Sequence, residues 1–165
     1  MLKMNRRILK EIEMMKNNPN PCFDFIPPND NNIRHFQAVI NGPEGTPYEG
    51  GRFLMDIKIP DNYPMPDHTG RPRFKFISKV YHPNIGINGD ICLDILAGNY
   101  SPQSSLESLI LSLVSMFMDP NTSSPMNSEA GNKYDNNMPV FYTNVKQWID
   151  KYGFKKPTPP YVGAD

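Results

Sequence analysis

The hydrophobic period of this chain changes from that of strands to that of helices past Cys92, and this change restricts the possible folds more than any other feature. In three runs between residues 36 and 76, apolar side chains recur at every second position, most clearly in residues 53–59. Such alternation is typical of half-buried strands, and the turn-rich links between the runs favour an antiparallel sheet. From residue 106 onward the spacing becomes helical. We therefore predict an α+β fold, with an antiparallel β-meander followed by C-terminal helices.

The first half of the chain also predicts an N-terminal helix. In residues 2–16 one helical face is apolar, with Ile8, Ile12 and Met15 at its centre. Another face of the same helix is basic and includes Arg6, Arg7 and Lys10. Residues 19–32 are polar and proline-punctuated, which predicts a loop with one edge strand.

The second half predicts three helices, over residues 106–117, 128–134 and 139–151. Ser104 and Glu107 have the spacing of a capping box at the start of the first of these helices. The dipeptide Asp119-Pro120 is expected to end it, because the residue before proline disfavours helical backbone angles. We expect one folded domain over residues 1–152 and a loosely packed, Pro-rich tail over residues 153–165.

Composition excludes several classes of function. The formal net charge is zero, so no broad electrostatic binding to nucleic acid or anionic membrane is expected. No apolar run approaches the ~20 residues of a membrane span, and the polar N-terminus does not resemble a signal peptide. The two cysteines, Cys22 and Cys92, are too few for a secreted disulfide scaffold. We therefore expect a cytoplasmic or nuclear protein, and two cysteines with three separated histidines predict no metal site.

The densest motif lies in residues 81–102. It contains a His-Pro-Asn triplet (His82, Pro83, Asn84), then Cys92 followed by Leu-Asp-Ile-Leu, then Tyr-Ser-Pro at residues 100–102. This pattern resembles the active-site signature of the ubiquitin-conjugating enzymes. The resemblance extends from Arg6 to about Tyr152 and includes residues 40–51, Tyr63-Pro64 and residues 119–121.

The resemblance implies a fold and a reaction. The fold would be that of the family, with residues 1–152 as the catalytic domain. An activating enzyme, having used ATP, would transfer ubiquitin to Cys92 as a thioester. A ubiquitin ligase would then direct ubiquitin to the lysines of a protein substrate. We expect a monomer that needs no bound cofactor of its own.

The same resemblance assigns roles around Cys92. The thiolate is the reactive form of cysteine, and thioester exchange needs no partner histidine. His82 and Pro83 are expected to support the loop. Asn84 is expected either to stabilise the developing oxyanion or to tie the loop by side chain–backbone hydrogen bonds. Both roles are compatible.

Two further residues are candidates for handling the attacking lysine. Asp94 lies two positions after Cys92 and would share its side if the stretch is extended. Ser124 occupies a position where many family members carry Asp, and a hydroxyl attracts an ammonium group less strongly than a carboxylate does. Both residues could also be ordinary surface groups.

Partner docking is expected at helix one and at two loops, on the residues Arg6, Arg7, Lys10, Met65, Ser101, Pro102 and Gln103. A basic helix face can also be merely solvated. The loop that begins at Met65 is longer than is usual in the family. The choice of ligase is therefore the property that the resemblance to the family predicts least. Tyr100 stands where many members have Trp and is expected to pack.

Two other functions remain possible from sequence alone. The chain could be an inactive variant that only binds ubiquitin or a partner, although such variants typically lose the cysteine and the triplet. It could also be a cysteine hydrolase using Cys92 and His82. That reaction needs a base ~3 Å from the nucleophile and an orienting third group, and no such signature is present near Cys92.

Overall fold

The α+β prediction is confirmed by a computed structural model, which describes residues 2–92, 96–98 and 100–158. An N-terminal helix precedes a sheet, and helices follow it. The elements are α1 (Leu2–Asn17), β1 (Phe23–Ile26), β2 (His35–Asn41), β3 (Arg52–Lys58), β4 (Arg73–Phe76), α2 (Leu106–Met118), α3 (Ser128–Asn136) and α4 (Met138–Tyr152). Within these described ranges, no helix is both long and apolar enough to cross a membrane.

The strands form an antiparallel meander in the order β1-β2-β3-β4. The register places Ile40 opposite Phe53 and Phe36 opposite Ile57, and these side chains are buried. The alternation in the sequence therefore directs one face of the sheet to the core. Val39, which alternation places on the opposite face, is buried as well.

Helix α2 lies in the centre of the core, because apolar residues occupy most of its circumference. Its seven buried side chains are those of Leu106, Leu109, Ile110, Leu113, Val114, Met116 and Phe117. The helix ends at Met118, with Asp119 as its C-cap, as predicted.

The predicted capping box of α2 is wrong by one residue. Ser105, not Ser104, is the N-cap, and its hydroxyl accepts the Ser108 N–H at 3.0 Å. The Ser104 hydroxyl instead accepts the Ser101 N–H at 2.9 Å. The Glu107 carboxylate accepts a hydrogen bond from the Asn20 amide at 3.1 Å. The side chains of both residues of the predicted box are thus bound by groups outside the first turn of α2.

A single carboxylate joins α1 to the start of α2. Glu11 Oε1 accepts the Leu106 N–H at 2.7 Å, and Oε2 accepts the Tyr63 hydroxyl at 2.7 Å. Burial and this hydrogen bond raise the pKa of Tyr63 far above its ordinary value. A negative charge is favourable at a helix N-terminus, because the helix dipole is positive there. Glu11 therefore fixes the position of α1 against α2.

Residues 153–158 pack on the outer face of the sheet. For these six residues, the expectation of a loosely packed tail from Gly153 onward is therefore wrong. The Phe154 N–H donates to Arg52 O at 2.8 Å, and the Arg52 guanidinium lies 5.3 Å from the centre of the Phe154 ring. Arg52 also pairs with Asp24 at 3.0 Å. Thr158 donates to the same carboxylate at 3.2 Å. Asp24 lies opposite Val39 in the register, so this segment lies on the same side of the sheet as Val39.

Phe154→Ala is expected to lower the free energy of unfolding by about 1 kcal/mol, because the cation–π contact with Arg52 is lost. Urea denaturation followed by the fluorescence of Trp148 measures this change. Lys156→Ala is the matched control, since the backbone carbonyl of Lys156, and not its side chain, accepts a hydrogen bond from Arg52. Equal effects of the two substitutions would contradict the packing of this segment.

Candidate active site

Residues 84–92 form a short antiparallel hairpin, here called the cysteine hairpin. The Cys92 N–H donates to Asn84 O at 3.2 Å, and the Gly86 N–H donates to Asp90 O at 2.8 Å. A turn closed by Gly89 N–H and Gly86 O, 2.9 Å apart, connects the two limbs. Cys92 therefore lies at the end opposite the turn, as a free and partly exposed thiol.

The hairpin is attached to β4 through Gly89. This residue has a φ of +88°, and a Cβ atom there would lie 1.9 Å from Phe76 O. The Phe76 N–H donates to Gly89 O at 2.9 Å. Only glycine combines this backbone conformation with so close an approach, so Gly89 fixes the hairpin against the sheet.

His82 is fully buried below the hairpin, and both of its ring nitrogens are occupied. Nδ1 accepts the Asn84 N–H at 2.9 Å, and Nε2 donates to Met116 O at 2.8 Å. These partners require the neutral tautomer protonated on Nε2. Burial lowers the pKa of His82 to about 4. His82 therefore joins the hairpin to α2 and has no nitrogen left to act as a base for Cys92, which removes the basis for the hydrolase hypothesis.

The depressed pKa of His82 predicts a loss of stability in acid. An unfolded histidine, with a pKa near 6.5, gains a proton below that pH, whereas folded His82 gains one only near pH 4. Within this window the unfolded state binds more protons, so stability falls as pH falls. The shift corresponds to about 3 kcal/mol. We therefore expect the stability advantage of the wild type over His82→Gln to shrink by about this amount from pH 6.5 to pH 4.

Denaturant titrations of both proteins across this pH range measure the difference. Gln147→Ala is the control: Gln147 is exposed and not titratable, so this variant should keep the pH dependence of the wild type. A difference between wild type and His82→Gln that stays constant with pH would contradict the neutral, buried state of His82.

Asn84 ties the hairpin to the segment that follows α2. Its Oδ1 accepts the Asn121 N–H at 2.9 Å, and its Nδ2 donates to Asn121 O at 2.7 Å. Asn84 is 1% exposed, and a primary amide nitrogen carries a second hydrogen beyond the one used here. The geometry thus shows the loop-tying role directly and leaves one donor for a developing oxyanion.

The segment after α2 brings Ser124 to the same side of the molecule as the hairpin. Pro83 O accepts the Met126 N–H at 2.8 Å, and Asn84 binds the start of the segment at Asn121. Ser124, between these two ties, is exposed. The predicted lysine-handling residue Asp94 lies outside the described residues.

The predicted docking residues come together on one surface. The Arg7 guanidinium donates to Pro102 O and, at 2.9 Å, to Ser104 O, so α1 contacts the loop of residues 101–105. These two bonds make Arg7 a support of that surface from within the chain. The exposed side chains around it are those of Arg6, Lys10, Met65, Ser101 and Gln103.

Two contacts of this site were not foreseen from the sequence. Asn121 belongs to a recognised motif, but nothing in the sequence pairs it with Asn84, 37 residues earlier. Tyr100, predicted only to pack, donates its hydroxyl to Met65 O and lies 3.1 Å from Gly70 O. It therefore holds the long loop of residues 65–72. Within the described ranges no group of three His, Cys, Asp or Glu residues could hold a metal ion.

Comparison with known proteins agrees with this geometry. The family model "Ubiquitin-conjugating enzyme" matches residues 7–149. Ubiquitin-conjugating enzyme E2 13 of Saccharomyces cerevisiae is 36% identical over 157 residues, which cover 95% of this chain and 99% of that protein. Ubiquitin-conjugating enzyme E2 N of Drosophila melanogaster is 34% identical over 152 residues, with coverages of 92% and 97%. A crystal structure described as a ubiquitin conjugating enzyme from Plasmodium yoelii has a TM-score of 0.83 and 33% identity, covering 93% of this chain and 97% of that one.

The chain belongs to the ubiquitin-conjugating enzyme family. It is a ubiquitin transferase that acts through a cysteine thioester, as the sequence predicted. Members of this family generally work with ubiquitin, an activating enzyme and ubiquitin ligases, which sets the general class of its partners.

Proposed function

We propose that Cys92 is the residue that carries ubiquitin. The observation that supports this assignment best is the hydrogen bond of 3.2 Å between the Cys92 N–H and Asn84 O, because it joins the backbone of a residue with a partly exposed thiol to that of Asn84, whose side-chain amide is buried. Cys22, the other cysteine, lies just before β1 and packs against the core.

The proposed reaction has two transfers. The Cys92 thiolate attacks the carbonyl carbon of ubiquitin on the activating enzyme and forms a new thioester as the first carrier leaves. A substrate lysine amine then attacks this thioester, the C–S bond breaks, and an isopeptide bond forms. The lysine loses a proton, and the thiol is regenerated. Negative charge develops on the carbonyl oxygen in each transfer, where an N–H donor stabilises it.

The neighbours of Cys92 are proposed to act on the second transfer. The free amide hydrogen of Asn84 would bind the oxyanion, while its other contacts hold residues 121–125 in place. Ser124 is proposed to line the approach of the lysine, and Asp94 to orient its amine. His82 and Pro83 are positioning residues, since both bind backbone groups of the surrounding loops.

The surface formed by α1 and the two loops is proposed to bind the activating enzyme and ubiquitin ligases in turn. Arg6 and Lys10 supply exposed positive charge, while Met65 is an apolar contact that is 52% exposed. The enzyme is proposed to work as a monomer in the cytoplasm or nucleus. It would bind no metal or nucleotide of its own, because the activating enzyme uses the ATP.

A charging assay tests the proposal. The protein is mixed with a ubiquitin-activating enzyme, ATP and ubiquitin, and the products are separated on a non-reducing gel. We expect a band heavier by one ubiquitin that disappears with a thiol reductant. The proposal would be overturned if no such band forms with an activating enzyme that does charge a reference conjugating enzyme.

A further inference from the structure

A cavity of about 520 Å³ lies between the cysteine hairpin and the loop of residues 65–72. Its described lining consists of His68, Arg71, Pro72, Arg73, Phe74, Asp90, Ile91, Leu96 and Met126. The volume falls within the ~300–1,000 Å³ of typical ligand sites. Asp90 and Ile91 directly precede Cys92. Two residues of extended chain span about 7 Å, so the lining of the cavity begins close to the proposed nucleophile.

The described lining carries an excess of positive charge. Arg71 and Arg73 contribute two permanent cations, and His68 lies beside them. The carboxylate of Asp90 is 3.9 Å from Lys75 Nζ, so a cation outside the lining offsets it. The other acidic group of the loop, Asp67, accepts hydrogen bonds from Thr69 and is turned back onto the loop itself.

Arg71 has unused hydrogen-bonding capacity. Its Nη1 atom is buried and, in the described part of the chain, has no hydrogen-bond partner. Buried donors are nearly always paired, and a charged donor without a partner is costly. A guanidinium group presents its N–H donors in a planar fork that matches the oxygens of a carboxylate or a phosphate. Arg71 as a whole is partly exposed and lines the cavity, so an anionic ligand there would meet a guanidinium group that the described part of the chain leaves unsatisfied.

The loop that supplies Arg71 is held in place, and Arg73 begins β4 directly after it. A Cβ atom on Gly70 would lie 2.4 Å from Met65 N, so the two ends of the loop touch. The Tyr100 hydroxyl binds the carbonyl groups of both residues. Arg71 is thus carried by a supported loop, which lowers the entropic cost of ordering a site around a ligand.

We propose that this cavity binds an anionic side chain of the protein substrate, a carboxylate or a phosphate, close in sequence to the lysine that receives ubiquitin. The proposal rests on the function proposed for Cys92. An extended peptide advances ~3.3 Å per residue, so an acidic residue two or three positions from the lysine can reach the cavity. The apolar side chains of Phe74, Leu96 and Met126 would contact the stem of the anionic residue.

Single-turnover transfer to peptides tests the proposal. The enzyme is charged with ubiquitin, ATP is then removed, and peptides with one lysine are added without any ligase. The peptides carry Glu, phosphoserine or Gln three positions from the lysine. At subsaturating peptide we expect the Glu or the phosphoserine peptide to react roughly tenfold faster than the Gln peptide, as one charge-assisted hydrogen bond would give. The faster of the two identifies the favoured anion.

Variants of the cations locate the effect. Arg71→Gln should remove the preference for the anionic peptide by raising its KM, while the KM of the Gln peptide stays unchanged. Arg73→Gln, at an exposed position, should have the same effect. Arg73→Glu should instead favour a peptide with Arg at that position. Lys151→Gln, on α4, removes one exposed positive charge outside the cavity lining and should keep the wild-type preference.

The possible failures are distinguishable. If the thioester forms but all three peptides react equally, the anionic site is overturned while the function of Cys92 stands. A preference that survives both Arg71→Gln and Arg73→Gln also overturns it. If no thioester forms on the wild-type protein, the proposed function fails, and the anionic site fails with it.

Discussion

Cys92→Ala will abolish the ubiquitin thioester, and Cys92→Ser will convert it to an ester that resists thiol reductants. The reason is chemical: an alanine side chain has no nucleophile, whereas a serine hydroxyl forms an oxygen ester that thiols exchange far less readily. A cysteine thiol is a stronger nucleophile than a serine hydroxyl near neutral pH, because a few per cent of a free cysteine is already present as the thiolate. The non-reducing gel of the charging assay, run with and without reductant, measures both outcomes.

The second cysteine provides the matched control for this prediction. Cys22→Ser should charge like the wild type, because Cys22 lies in the segment that leads into β1 and is not part of the cysteine hairpin. The two Cys92 variants and Cys22→Ser should all keep the wild-type fold, which circular dichroism checks. A reductant-sensitive band that persists in Cys92→Ala and disappears in Cys22→Ser would move the thioester to Cys22.

The elements with the strictest period were predictable from the sequence. The alternation in residues 53–59 corresponds to β3, and the helical spacing after residue 106 corresponds to α2. In both cases the periodic side chains are the buried ones. Period alone suffices there because burial of one face is the dominant favourable term in folding.

The errors occurred where distant segments decide between equal local choices. Ser104 and Ser105 are both able to cap a helix; Arg7 binds the backbone of Ser104, Asn20 binds Glu107, and Ser105 is the N-cap. Val39 is buried on the side of the sheet where a segment more than a hundred residues later packs. No local pattern contains this information.

The candidate site shows the same division. The motif indicated Cys92, His82 and Asn84, but motif spacing does not reveal which atoms are bound. The structure adds that both nitrogens of His82 are occupied and that Asn84 binds the backbone of Asn121. It also shows that Arg7, predicted as a partner contact, supports the loop of residues 101–105 from within the chain. The cationic cavity could not be predicted, because it exists only where the long loop folds back against the hairpin.

Asn84→Ala is expected to slow the discharge of the charged enzyme to free lysine about 100-fold, the usual effect of losing one oxyanion donor. The thioester itself should still form with activating enzyme and ATP, because the Cys92 thiol remains. The substitution also removes two hydrogen bonds to Asn121, so it will lower stability. Single-turnover discharge of the purified thioester, over a range of lysine concentrations, separates a change in rate constant from a change in lysine affinity.

His82→Gln distinguishes the two roles of Asn84. His82 supports the same loop by accepting the Asn84 N–H, but its substitution leaves the Asn84 side chain present. If Asn84 acts as an oxyanion donor, Asn84→Ala will slow discharge far more than His82→Gln at a comparable loss of stability. If Asn84 only ties the loop, the two variants will lose activity in proportion to their loss of stability. That second result would leave the oxyanion without a side-chain donor from Asn84, so its stabilisation would have to come from backbone groups or from the bound partners.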